Sequence, residues 1–212
     1  MLGRTHFFIG TAAALAVLQP QTVPALVAGV GAAAIGGLIS DIDVGTSQAH
    51  RDADKIITAT VAVAVLTILA EYKLNLGIYR RLTSDSSVLR LLTGTAAFLL
   101  ICAYGKQQPH RSFMHSFAAL ALLTACVDII YPDVSAYFAV GFLSHLVLDF
   151  FNRKPEKLFW PWKKGFCLGL CSARGLVNRA LLGCGMVSLA VVLVLSAPAG
   201  RLMAKIMRAI YG

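Results

Sequence analysis

The stretch VSAYFAVGFLSHLVLDFF, residues 134–151, combines the features that decide the fold. It has the length and apolar composition of a helix that crosses the roughly 30 Å hydrocarbon core of a bilayer. It also carries His145 and Asp149, which lie on one face of such a helix because they are four residues apart. Ionisable side chains at membrane depth are costly to bury and mark functional sites. The stretch therefore predicts a spanning helix with a polar site near its carboxyl end.

The rest of the chain extends this pattern, because 58% of its 212 residues are hydrophobic and only 14% are charged. This composition is far from that of a soluble domain. It predicts an all-α, polytopic transmembrane helical bundle of about six to seven spans, forming a single domain over residues 1–212. The predicted spans lie near residues 6–19, 23–40, 56–72, 88–104, 113–131, 135–151 and 176–196.

Two further features belong to this architecture. Residues 176–212 add a last span and an amphipathic tail in which Arg201, Lys205 and Arg208 predict a carboxy-terminal interfacial helix. The second span contains four glycines, which predict close packing against another helix. These glycines are Gly29, Gly31, Gly36 and Gly37.

The charge balance fits a membrane location. Lysine and arginine total 19 against 10 aspartates and glutamates, which in a soluble protein would suggest nucleic acid as a partner. In a polytopic membrane protein, basic residues instead collect in cytoplasmic loops and contact anionic lipid headgroups. We therefore expect membrane lipids as partners and do not expect nucleic acid; the sequence indicates no protein partner. The odd number of cysteines, five, predicts free thiols.

Following the predicted spans across the membrane places every histidine on one side. Three aspartates join the five histidines there, and most of the basic residues lie on the same side, so the positive-inside rule predicts that this side is cytoplasmic. The chain is therefore expected to be a multi-pass membrane protein. The candidate metal ligands on this side are His6, Asp41, Asp43, His50, His110, His115, His145 and Asp149.

The segment HRSFMHS, residues 110–116, is the densest part of this set. Pro109 places His110 in the approach to a helix, which lets the rings of His110 and His115 point toward one centre. Arg111 and Arg51 are candidate contacts for an anionic substrate, because a guanidinium binds phosphate or carboxylate with two hydrogen bonds. Ser116 completes the set of candidate catalytic residues.

Imidazole and carboxylate donors together favour Zn²⁺ first, with Mn²⁺ or Fe as alternatives, and the number of residues allows one ion or two. Such an ion activates water as a nucleophile for ester or phosphoester hydrolysis. Simpler interpretations stay open at this stage. His145 and Asp149 can neutralise each other by hydrogen bonding, and Asp41 and Asp43 can be solvated acids at a helix end. The segment NRKPEKLFWPWKKGF, residues 152–166, is typical of an interfacial aromatic belt, with headgroup binding as the alternative.

Four ordered motifs within residues 5–165 resemble a known family: THFFIG at 5–10, SDID at 40–43, HRSFMHS at 110–116, and GFLSHLVLDFF at 141–151 with the following FWPW. They are similar to the YdjM/YbcI-type inner-membrane metal-dependent hydrolases, of which one member is described as LexA-regulated or LexA-binding. This resemblance implies a location in a bacterial inner membrane. The resemblance implies a hydrolase whose site residues are His6, Asp41, Asp43, His110, His115, His145 and Asp149. After SDID the family commonly has a D-H-P-x-S-like stretch, whereas this chain reads VGTSQAHRDADK, so His50 is either a replacement ligand or incidental.

The leading hypothesis is thus a membrane-embedded, metal-dependent hydrolase that cleaves a phosphoester or ester of a lipid or lipid-linked substrate. The alternatives are a divalent-metal or proton transporter or channel, and a non-catalytic metal-binding membrane protein. A transporter would need ligands near the membrane midplane, whereas these residues gather at one end of the spans. A haem-binding electron carrier is disfavoured because the histidines are accompanied by aspartates.

Overall fold

The computed structural model describes residues 2–45, 86–172 and 175–211. The predicted span at 56–72, together with His50 and Arg51, lies outside these residues. The helices are α1 (Gly3–Leu18), α2 (Val23–Ile39), α3 (Ser86–Lys106), α4 (Phe117–Ile130), α5 (Pro132–Phe150), α6 (Leu176–Leu195) and α7 (Ala197–Tyr211). Two 3-10 turns, Ser40–Asp43 and Phe113–His115, follow α2 and precede α4.

The predicted all-α class is confirmed for this part of the chain, which has no strand and only two isolated β-bridges. Among the described residues, four helices are long and apolar enough to cross a membrane: Val23–Asp43, Ser87–Lys106, Pro132–Phe150 and Leu176–Leu195. Helices α1 and α4 are apolar but shorter. The exact number of crossings and the interfacial position of α7 stay predictions.

The predicted continuous helix at 113–131 is interrupted at Ser116. This residue has extended backbone angles, φ −134° and ψ 158°, and its hydroxyl accepts a hydrogen bond from the amide of Ala119 at 3.2 Å. An N-cap serine satisfies one of the free amides at the start of a helix. Helix α4 therefore begins only at Phe117, and His115 lies in the preceding 3-10 turn.

Helix α5 is central among the described helices, since it packs against α1, α2 and α4. Its contact with α2 is a direct approach of two backbones. A Cβ on Gly36 would overlap the carbonyl oxygen of Phe138, and a Cβ on Gly141 would overlap that of Ala33. Small residues allow membrane helices to come this close. The prediction of close packing holds for Gly36, whereas no neighbouring element among the described residues comes within 4 Å of the Cβ position of Gly31.

A buried apolar cluster supports the two 3-10 turns. Ile42 and Met114 are both 0% exposed and belong to one core with Phe138 and Phe142 of α5. Each of these anchors lies next in sequence to ionisable residues: Ile42 separates Asp41 from Asp43, and Met114 precedes His115. Because the apolar side chains are buried, they fix the backbone positions from which the neighbouring polar side chains extend.

Candidate metal centre

Side chains from four separate parts of the chain meet at one place. The first turns of α1 provide His6, and the turn after α2 provides Asp41 and Asp43. The segment before α4 provides His110 and His115, and the last two turns of α5 provide His145 and Asp149. Seven of the eight predicted metal ligands therefore meet, and the eighth, His50, lies outside the described residues.

Four donor atoms lie closest to a common centre. Nε2 of His115 lies 3.4 Å from Nε2 of His145 and 3.7 Å from Oδ2 of Asp149. Oδ1 of Asp41 lies 3.9 Å from Nε2 of His115 and 3.8 Å from Nε2 of His145. Donors bound tetrahedrally at zinc distances are about 3.4 Å apart. These four separations, 3.4 to 3.9 Å, are close to the spacing that a first-row divalent ion requires.

The ring of His145 is oriented by a backbone carbonyl. Its Nδ1 lies 2.8 Å from the carbonyl oxygen of Gly37, which can only accept a hydrogen bond. Nδ1 therefore carries the proton and donates it, and in the neutral imidazole Nε2 has a free lone pair. Metal-binding histidines are commonly oriented in this way by a partner of the second ring nitrogen. His145 consequently presents its lone pair to the common centre.

Asp43 hydrogen-bonds the ring of His110 and faces that of His115. Its Oδ1 lies 2.9 Å from Nδ1 of His110, and its Oδ2 lies 3.5 Å from Nδ1 of His115. Its Oδ2 also accepts a hydrogen bond from the backbone amide of Arg111 at 3.3 Å. Asp43 was predicted to be a metal ligand, but both of its oxygens face these groups, and the structure places it behind the histidine rings.

His6 is completely buried and stacks on His145, with ring centroids 3.8 Å apart and an interplanar angle of 18°. Its Nε2 lies 3.4 Å from Oδ1 of Asp149, but neither ring nitrogen has a hydrogen-bond partner among the described residues. An imidazole buried without such a partner is costly. A cation beside Nε2 would compensate for that cost, so His6 fits a metal site.

The donors form three overlapping groups in which the ligand atoms all lie within 4.8 Å of one another. Asp41, His115 and His145 each belong to two groups, so the arrangement accommodates either one ion or two adjacent ions. His110 is the outermost member, with a side chain that is 40% exposed. The groups are His6–Asp41–His145, Asp41–His110–His115 and His115–His145–Asp149.

The side chain of Arg111 contacts Asp149, one of the candidate metal ligands. It has a left-handed backbone with φ 64°, is only 7% exposed, and donates one hydrogen bond from Nη2 to Oδ2 of Asp149. Its Nη1 donates another to the carbonyl oxygen of Lys154. The predicted substrate contact therefore already pairs with Asp149, and its Nε has no hydrogen-bond partner in the described part of the chain. The other predicted anion contact, Arg51, lies outside that part.

Ser116, the remaining predicted catalytic residue, is buried and occupied as a helix cap. Besides accepting from Ala119, its hydroxyl donates to the carbonyl oxygen of Phe113 at 2.6 Å. This position continues the turn that carries His115, so the observed contacts of Ser116 support the fold of the site.

Glu156 also lies near the centre, although it was not predicted as a site residue. Its side chain is 0% exposed, and neither carboxylate oxygen has a hydrogen-bond partner among the described residues. Burial and the nearby charge of Asp149 raise the pKa of Glu156 to about 8, and the positive charge of Arg111 opposes the shift. The sequence does contain one signal: Glu156 is the single acid among residues 152–166, a stretch rich in lysine and arginine.

Comparison with known proteins supports one assignment. Neither a curated protein nor a solved structure matches the chain. The sequence model described as YdjM inner membrane protein matches residues 1–209, nearly the whole chain, and confirms the resemblance drawn from the four motifs. The chain therefore belongs to the YdjM inner membrane protein family.

Proposed function

We propose that this inner membrane protein is a metal-dependent hydrolase that cleaves a phosphoester or ester bond of a lipid or lipid-linked substrate. The observation that carries the proposal is the convergence of Nε2 of His115, Nε2 of His145 and Oδ2 of Asp149, joined by Oδ1 of Asp41. These side chains come from three separate parts of the sequence. Arg111 already balances Asp149, and a metal cation would in addition compensate the buried ring nitrogens of His6, which have no hydrogen-bond partner among the described residues.

The donor set favours a divalent transition metal. Imidazole nitrogens combined with carboxylate oxygens suit Zn²⁺ best, and Mn²⁺ or Fe are the other candidates. When bound, such an ion acts as a Lewis acid and lowers the pKa of water to near neutrality. The overlapping donor groups are compatible with one or two ions.

The chain's own residues prepare this centre. Gly37 holds the ring of His145 with Nε2 inward through a hydrogen bond, and the carboxylate of Asp43 faces Nδ1 of His115 at 3.5 Å. Arg111 holds Asp149 and adds a positive charge beside it. His110 borders the exposed side, where an anionic substrate would approach, and we retain Arg51 as a candidate contact for it. Fully buried Phe142 and Leu146 on α5 help exclude water from the inner side.

Hydrolysis is favoured over transport by where the donors lie along the helices. Asp41 and Asp43 lie in the turn after α2, and Asp149 is the penultimate residue of α5. A transport site would be expected near the middle of the spans, with access from both sides. A site at the helix ends is instead suited to substrates with a headgroup at the membrane surface, and we place that surface on the cytoplasmic side.

Elemental analysis of the purified protein tests the proposal, combined with a screen of phospholipid and phosphoester substrates. We expect bound zinc, manganese or iron in the wild type and loss of both metal and hydrolysis in the double variant His145→Ala, Asp149→Ala. Asp133→Ala is the matched control, because Asp133 is an exposed acid at the opposite end of α5. Metal content that is the same in all three proteins would refute the site.

A further inference from the structure

The segment 152–170, here named the basic segment, forms a wall beside the metal centre. The amide of Lys157 donates to the carbonyl oxygen of Arg111 at 3.0 Å, and the amide of Phe117 donates to the carbonyl oxygen of Leu158 at 2.9 Å. Trp160 packs edge-on against Phe113, with ring centroids 5.1 Å apart. These contacts fix the segment to the same loop that carries His110 and His115.

The outer face of the basic segment is positively charged. Arg153, Lys154, Lys163 and Lys164 are exposed, while the single acid, Glu156, is completely buried. The burial of Glu156 removes its carboxylate from the surface, so no acid of this segment offsets the exposed cations. The surface is therefore complementary to an anion.

Large apolar side chains are exposed among these cations. Trp162 is 71% exposed, Leu170 68% and Phe159 46%. The segment follows directly on α5, which is long and apolar enough to span a membrane. At that position the segment lies at headgroup level, where tryptophan and cations are favoured together. A nucleic acid would match the charge but would leave these apolar side chains in water.

We propose that the basic segment is a docking surface for the phosphate-bearing headgroup of an anionic phospholipid, which it holds next to the metal centre. Lys163 and Lys164 contact the phosphate, and Trp162 inserts beside the acyl chains. This inference deepens the proposed function and rests on it where it names the substrate class. The docking itself requires neither a metal nor hydrolysis.

Lipid binding by the full-length protein tests the docking surface. The protein is purified in a neutral detergent and supplied with phosphatidylglycerol or phosphatidylcholine, and native mass spectrometry measures the lipid retained. We expect phosphatidylglycerol to be preferred in the wild type. The variant Lys163→Gln, Lys164→Gln should reduce this preference by roughly fivefold for each cation removed. Inorganic phosphate at the same concentration should not displace the lipid.

The matched control is Arg4→Gln, Arg179→Gln. It removes the same charge from two exposed residues at the starts of α1 and α6. These two helix starts lie together, because the amide of Leu2 donates a hydrogen bond to the side-chain oxygen of Asn178. We expect it to keep the preference for phosphatidylglycerol. An equal loss in both double variants would show attraction by net charge alone and overturn the proposal, as would a wild type without the preference.

A final comparison separates this proposal from the proposed function. His145→Ala should abolish hydrolysis but retain the preference for phosphatidylglycerol. If the wild type binds this lipid selectively and hydrolyses nothing, the proposed function fails and the docking surface stands. If the wild type hydrolyses a water-soluble phosphoester but shows no lipid selectivity, the docking surface fails and the metal centre stands.

Discussion

The ring of His145 on α5 is held by the backbone of α2, because its Nδ1 donates to the carbonyl oxygen of Gly37 at 2.8 Å. That carbonyl precedes Asp41 by one helical turn. The contact therefore links the orientation of one candidate ligand to the helix that carries another. It is possible because the backbones of α2 and α5 approach each other directly.

The first prediction concerns Asp43. In Asp43→Ala, the rings of His110 and His115 lose the carboxylate that faces their Nδ1 atoms, so His115 no longer presents Nε2 in a fixed direction. Loss of such an outer partner typically weakens metal affinity by about 10–100-fold. Competition with a chelator for Zn²⁺ measures the change. Affinity equal to that of Asp133→Ala would contradict an orienting role.

The second prediction concerns the contact of α2 with α5. Gly36→Ala should lower the free energy of unfolding by about 1–3 kcal/mol, because the added methyl group overlaps the backbone at Phe138. Gly31→Ala is the control on the same helix, since none of the described neighbours lies within 4 Å of its Cβ position. Thermal unfolding in one detergent compares them. A melting temperature for Gly36→Ala as high as that of Gly31→Ala would argue against the close approach.

The third prediction concerns Arg111. Arg111→Ala leaves Asp149 buried without its guanidinium partner, and breaking a buried ion pair typically costs about 3–5 kcal/mol. Arg111→Lys keeps the charge but cannot make both hydrogen bonds, so it should fall between the wild type and the alanine variant. Arg153→Ala removes an exposed arginine nearby and serves as the control in the same thermal assay. Indistinguishable stability of the two alanine variants would exclude a structural pair.

The fourth prediction concerns pH. The pKa of Glu156 rises from an ordinary value of 4.5 to about 8 in the folded protein, mainly because the carboxyl is buried. Between these values the folded state retains a proton that the unfolded state has lost. Stability should therefore be greatest below pH 4.5 as far as this group is concerned. It should fall with rising pH up to about 8, by at most about 1.4 kcal/mol per pH unit.

Glu156→Gln removes this titration while keeping the shape of the side chain. We expect its melting temperature to fall less than that of the wild type between pH 5 and pH 8, measured without added metal. Parallel curves for the two proteins would show that Glu156 does not retain its proton on folding.

Much of the site could be predicted from the sequence, and the reasons are specific. His145 and Asp149 share a face through helical periodicity, and the alternation of spans predicted that His6, Asp41 and His115 would lie at the same end. The path of the chain between elements was less accessible. The helix predicted at 113–131 begins only at Phe117, because the hydroxyl of Ser116 caps its first turn. That starting point depends on how the preceding turn packs.

The partners of individual side chains were the least predictable part. Arg111 was expected to bind substrate, yet its guanidinium donates to Asp149, a partner on a helix distant in sequence. Asp43 was expected to bind metal, but its Oδ1 lies 2.9 Å from Nδ1 of His110. Glu156 becomes part of the site's surroundings through the bridge of its backbone to Phe166, a long-range pairing without a sequence motif.

The glycine contact between α2 and α5 makes one side of the metal centre more rigid than the other. Asp41, His145 and Asp149 are attached to helices whose backbones are already touching, so their spacing resists compression. His110 and His115 are attached to a short turn and its approach loop. Ions of different radius would therefore be accommodated on the side of the Phe113–His115 turn. Replacement of one metal by another should therefore first change the positions of Arg111 and the basic segment. The spacing of α2 and α5 should stay the same.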